Sequence, residues 1–70
     1  MNMRGGVVYT ETVVHSAPEK FVMEAPYQVA IVTLDEGGRV TARIEGERVV
    51  IDDRVTEIEG RDGMVFFRQG

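Results

Sequence analysis

The sequence predicts an all-β fold, a small five-stranded Greek-key barrel. Three observations lead there. Stretches dense in valine, isoleucine, threonine and tyrosine recur at short intervals, residues whose branched or flat side chains suit a pleated surface. Glycine-bearing turns separate these stretches, and between them no apolar pattern at helical spacing runs long enough for a regular helix.

The first strand is expected from Gly6 to His15, GVVYTETVVH, where Glu11 is the one strong helix former. Val8, Thr10, Thr12 and Val14 fall on one face and Val7, Tyr9, Glu11, Val13 and His15 on the other. Each face is apolar at its ends and polar in its middle, so the strand is expected to bend between two sheets. Residues 16–26 hold both prolines and no periodic pattern, which predicts a loop with Phe21 as its anchor. Tyr27–Leu34 reads as a nearly fully buried strand. Asp35-Glu36-Gly37-Gly38 offers the positive-φ residues of a tight hairpin, pairing that strand antiparallel with Arg39–Glu45. There Val40, Ala42 and Ile44 alternate with Arg39, Thr41, Arg43 and Glu45, giving an inner and an outer face.

Gly46 ends the third strand. Glu47–Asp53 is too short for a helix of three turns, and Val49, Val50 and Ile51 are expected to fold back onto the core. Arg54–Glu59 and Met64–Arg68 flank Gly60-Arg61-Asp62-Gly63 and form a second hairpin. A long bendable strand, a meander and a closing hairpin suit an OB-fold barrel, which hides its strand edges by closure. An SH3-like barrel is the alternative, because turn spacing alone leaves strand order open. The helix that OB barrels place between strands three and four has almost no room here.

Seventy residues make one domain, 1–70, with 1–4 expected to be flexible. So short a chain buries only about 60% of the surface its unfolded form exposes, and a partner or a second copy would add to a thin core. At 43% apolar and 29% charged, the composition is that of a globular domain. The absence of cysteine excludes disulfides, a thiolate nucleophile and cysteine-ligated metal. Twelve acids against eight bases give a net charge of −4, which opposes non-specific attraction to a phosphate backbone. The longest apolar run, Val29–Val32, is far short of a membrane span, and no secretory signal pattern opens the chain. A cytoplasmic protein without membrane contact is expected.

Candidate chemistry is sparse. His15 is the single histidine, and Ser16, next to it on an extended chain, points to the opposite face, so no nucleophile–base pair forms by spacing. Glu57 and Glu59 share a strand face, as solvated acids commonly do. The glycines match no phosphate-binding loop pattern. No catalytic residue and no metal ligand is assigned. Tyr9, Phe21, Tyr27, Phe66 and Phe67, with Arg39, Arg43, Arg54, Arg61 and Arg68, offer the ingredients of a single-stranded nucleic-acid site, the alternative function. Such a site needs both kinds on one exposed surface, whereas Tyr27 and Phe66 are expected in the core.

The segments Val8-Tyr9-Thr10, TVVHSAP (12–18), Phe21, EAPYQVAIVTLDEG (24–37) and Arg39, closing on Phe66-Phe67-Arg68, resemble the C-terminal OB domain of the acyl-CoA-associated family catalogued as domain of unknown function thirty-five. The likeness runs from about Gly5 to Arg68. The resemblance implies a non-catalytic accessory module working beside thiolase-like or hydratase-like enzymes of acyl-CoA metabolism, contacting the enzyme or helping to hold a CoA ester. Two departures stand out. Members carry a cysteine-ligated zinc ribbon ahead of the barrel, for which this sequence has no cysteines, and an isoleucine–glycine turn before the fourth strand, where this chain reads Ile51-Asp52-Asp53. That turn is expected to be built differently. Tyr9, Phe21, Arg39 and Arg43 are the residues expected to contact ligand or partner, the arginines meeting phosphates or acids and Phe21 giving an apolar contact. Self-association is the further expectation, and no cofactor is required.

Overall fold

A computed structural model describes residues 3–15, 26–61 and 63–70. Five strands run β1 (Gly5–Val14), β2 (Tyr27–Leu34), β3 (Arg39–Ile44), β4 (Arg54–Arg61) and β5 (Met64–Gln69). They close in the order β1-β2-β3-β5-β4, with β4 returning to β1. Every pairing is antiparallel except β3 with β5, where Arg43 stands opposite Phe66 and Ile44 opposite Phe67. That parallel closure is the OB arrangement, and it decides against the SH3-like alternative. Closure also leaves each strand with two neighbours, which suppresses edge pairing.

The bend expected in β1 is a one-residue bulge. Val8 pairs with Val32 and Thr10 with Ile31, so Tyr9 is the extra residue. Its insertion reverses the alternation: Gly6 and Val8 face inward before it, Glu11 and Val13 after it, opposite the buried Ala30 and Gln28. The polar middle and apolar ends of both faces are thereby explained. At Gly6 the strands cross so closely that a Cβ would stand 2.5 Å from the Thr33 carbonyl oxygen. Any side chain there would part β1 from β2.

The core gathers Val8, Ala30, Val32, Leu34, Ala42, Ile44, Val49, Val55 and Phe67. The β2–β3 hairpin turns as expected, with Gly37 and Gly38 at φ 111° and 82° and the Gly37 N–H donated to the Leu34 carbonyl. Two expectations about the core are corrected. Tyr27 is only half-buried on the outer side of the wall, because the register sends its neighbour Gln28 inward, whereas Phe66 is buried as expected, covered by arginine side chains rather than packed in the central cluster. Of the three apolar residues of the β3–β4 connection, only Val49 enters the core, whereas Val50 and Ile51 are exposed.

Val49 replaces the missing helix as the floor of the barrel, and Gln28 fixes it there. The Gln28 carboxamide accepts the Val49 N–H (2.8 Å) and donates from Nε2 to the Val49 carbonyl (2.7 Å) and to Glu11 Oε1 (2.9 Å). All of its strong donors and acceptors are used, as burial demands. Arg4, expected to be flexible, is held instead: its carbonyl accepts the Glu57 N–H (2.7 Å), and its Nε and Nη2 donate to the two oxygens of Glu57 (2.8 and 2.9 Å). Arg54 on β4 grips Asp35 of the hairpin in the same two-pronged way. Both ion pairs bracket the first residues of β1.

Replacing Gln28 with leucine strands the Val49 N–H and carbonyl in an apolar site, at about 1–3 kcal/mol for an unsatisfied group. Gln28→Leu is therefore expected to lose about 2–4 kcal/mol in urea unfolding. A loss within experimental error would show that the floor is held by apolar packing alone. Acid sensitivity follows from the ion pairs. The side-chain hydrogen bonds from Arg4 and Arg54 hold the Glu57 and Asp35 carboxyls below their ordinary values. Their stabilisation is complete above the usual carboxylate range and lost as pH falls through the lowered values. The melting temperature should thus hold steady from neutral pH to about 5 and drop below about 4, with a shallower drop in Glu57→Gln.

Candidate functional site

Three of the four expected contact residues are described, and they separate into two places. Phe21 lies outside the described residues. Tyr9 and Arg39 come together on the outer wall, carried there by the bulge in β1 and by the first position of β3. Between them runs Thr33, whose neighbours across the sheet are Val7 and Arg39. The Arg39 guanidinium lies 3.9 Å from the centre of the Tyr9 ring, and its Nε donates to Thr33 Oγ1 (3.4 Å). Tyr9 stays 52% exposed. The result is a cation held flat over an open aromatic ring, beside a surface recess of about 420 Å³ lined by Thr33, Gly38 and Arg39.

Arg43 shares the outward alternation of Arg39 but not its exposure. Only 6% of it meets solvent. Its guanidinium lies 4.1 Å from the Tyr27 ring centre and 5.2 Å from that of Phe66, and Arg61 covers the other ring at 4.4 Å. Arg61 in turn donates to Glu45 (2.9 Å). Alternation gave the direction of Arg43 correctly; the two rings that bury it come from strands distant in sequence. The arginine is therefore part of the wall, and the expectation of an Arg39–Thr41–Arg43 face open to solvent is corrected to Arg39 and Thr41.

This layer also bears on the aromatic platform. Phe67 is in the core, Phe66 lies under two guanidiniums and Tyr27 against one, so among the described rings Tyr9 alone is largely open. Stacking successive bases requires several open rings. The adjoining apolar recess, lined by Val29, Thr41, Arg43, Met64 and Val65, measures about 260 Å³, below the ordinary range for small-molecule sites.

His15 is exposed at the end of β1, Glu59 is exposed on β4, and Glu57 is bound to Arg4. Among the described residues no three histidine, aspartate or glutamate side chains converge as metal ligands, and no helix is long and apolar enough to cross a membrane. One constellation escaped the sequence reading: the exposed Val50–Ile51 turn. The unusual run of three apolar residues in a short polar connection was its signal.

Comparison with known proteins now gives the family. The sequence profile described as "ChsH2, C-terminal OB-fold domain" matches residues 3–60. The chain belongs to this family. A DUF35 domain-containing scaffold protein of Methanocaldococcus jannaschii is 39% identical over 71 aligned positions, covering 89% of this chain and 50% of that protein. A second, from Methanothermobacter thermautotrophicus, is 34% identical, with 89% and 53% covered. The chain thus spans about half the length of the curated relatives it matches. A chain of the solved structure named "Ltp2-ChsH2(DUF35) aldolase" superposes with a TM-score of 0.74 at 30% identity, over 94% of this chain and 57% of that one. The DUF35 OB domain read from the sequence is the fold and family observed.

The two outer arginines differ in what they do, and substitution separates them. Arg43→Met removes a buried cation from two rings and should cost about 1–2 kcal/mol, whereas Arg39→Met at the exposed ring should cost under about 1. Paired chemical denaturation curves give both values. Equal losses would contradict the burial of Arg43.

Proposed function

We propose that this barrel is a non-catalytic accessory module for an acyl-CoA-metabolising enzyme of thiolase-like or hydratase-like type. The observation that carries this reading is the superposition of the barrel on a chain of the structure named as an Ltp2–ChsH2(DUF35) aldolase, together with relatives named as scaffold proteins. The barrel's own chemistry supports it. Three of its arginines are spent on internal pairs, Arg4 with Glu57, Arg54 with Asp35 and Arg61 with Glu45, and among the described residues no three acidic or histidine side chains gather as metal ligands.

Arg39 on Tyr9 is the part of the expected contact set that remains open. A guanidinium fixed by stacking loses less side-chain freedom when it meets a carboxylate or a phosphate. Within this reading it contacts an acidic group of the enzyme or the phosphate of the CoA ester that the enzyme holds. Nucleic acid fits less well, since one open ring among the described residues and a net charge of −4 give neither a stacking series nor a basic track.

Affinity capture of the tagged full chain from its native cell, washed at moderate salt and read by mass spectrometry, is expected to recover an acyl-CoA enzyme of this class. Arg39→Glu should then weaken binding to that purified enzyme about tenfold, an ordinary loss for one exposed charge contact. Recovery of nuclease-sensitive material with no such enzyme would overturn the proposal.

A further inference from the structure

The β3–β4 connection places two large aliphatic side chains where turns ordinarily carry polar ones. Val50 is 63% and Ile51 55% exposed. Single exposed apolar residues are common, but this pair sits on a backbone that is fixed at every side. Val49, immediately before it, is clamped in the barrel floor by Gln28. Within the turn the Asp53 N–H is donated to the Val50 carbonyl (3.0 Å), and the Asp53 carboxylate accepts the Val50 N–H (2.9 Å). Behind it, Val8 of β1 donates to the Asp53 carbonyl and accepts the Asp52 N–H, each at 2.9 Å. Asp52 takes φ 76°, a positive-φ conformation that glycine ordinarily supplies, and closes the turn without one. Two aliphatic groups are thus presented rigidly, and burying them on a partner costs little chain ordering.

We propose that the Val50–Ile51 turn is a docking knuckle for a folded protein partner whose surface offers an apolar recess rimmed by lysine or arginine. The charges around it select that occupant. Glu47, Asp52 and Asp53 stand within four positions of the pair against two bases, Arg48 and Arg54, and Arg54 is already paired with Asp35, so the rim keeps a net negative charge. A second copy would set two acidic turns face to face, and nucleic acid or an anionic lipid surface would meet the same repulsion. A basic-rimmed protein recess satisfies both the aliphatic pair and the acids. This inference rests on the accessory reading above and gives it a surface, separate from the Arg39–Tyr9 pair.

The test uses the full chain and the purified enzyme recovered by capture. Val50→Ser with Ile51→Ser alters exposed side chains and keeps the turn's backbone, so its melting temperature should stay near the original. Its affinity for the enzyme should fall about 30-fold or more, the scale of two lost apolar anchors. Asp52→Asn, which retains the tolerance for positive φ, should weaken binding several-fold and flatten its dependence on salt. Unchanged affinity in the double variant would overturn the knuckle while leaving the accessory function standing. Failure of the unaltered chain to bind any acyl-CoA enzyme would overturn both. A homodimer in sedimentation equilibrium that the double variant abolishes would also overturn the proposal, by assigning the turn to a second copy.

Discussion

The carboxamide of Gln28 is the contact through which the rest of the barrel becomes possible. An OB barrel needs something to cover the end where β3 leaves and β4 enters, and nine residues between those strands leave no space for a helix. A single valine covers it instead. One aliphatic side chain cannot hold a loop in place through apolar contact alone, because the loop's own N–H and carbonyl groups must be satisfied when they leave water. Gln28 mimics a neighbouring strand: it accepts from and donates to the same residue, Val49, as two paired backbones do. Its remaining N–H goes to Glu11, which ties the floor to β1 as well.

That third bond depends on the bulge at Tyr9. Without the extra residue, the alternation set by Gly6 and Val8 would carry inward to Thr10 and Thr12 and turn Glu11 to solvent. With it, Glu11 reaches Gln28, and Val13 rather than Thr12 stands opposite a buried residue of β2, Gln28. The bulged residue itself is left outside, with an aromatic ring over which Arg39 settles. A local irregularity of one residue thus connects the inner polar network with an outer surface feature.

Much of this was legible in the sequence, and the residues show why. The five strands follow from β-branched density, and both hairpins from glycines placed where positive φ is needed; their observed ends differ from expectation by only one or two residues. Closure between β3 and β5 was not legible, because turn spacing constrains neighbours in sequence and this parallel pair is held by hydrogen bonds across a long separation. Arg43 was read in the right direction with the wrong exposure for the same reason. Val50 and Ile51 were misplaced because hydropathy signals burial and carries no information about a turn tip fixed by its own backbone. Gln28 did leave a signal. It is the one amide in an otherwise apolar strand, YQVAIVTL, and a buried amide requires partners.

The distribution of polar groups then separates what stabilises the barrel from what its surface offers. Glu57, Asp35 and Glu45 are each bound to an arginine from another part of the chain, so those charges close the structure on itself. Arg43 and Arg61 lie over the rings of the outer wall and add to its cover. Among the described residues, the Arg39–Tyr9 pair and the Val50–Ile51 turn stand outside these contacts and remain exposed. They flank the same short length of β1, since Tyr9 follows Val8 and Val8 carries the backbone bonds to Asp52 and Asp53. A module whose task is to be held by another protein requires this combination, a wall that remains rigid without the partner and contacts already fixed before the partner arrives.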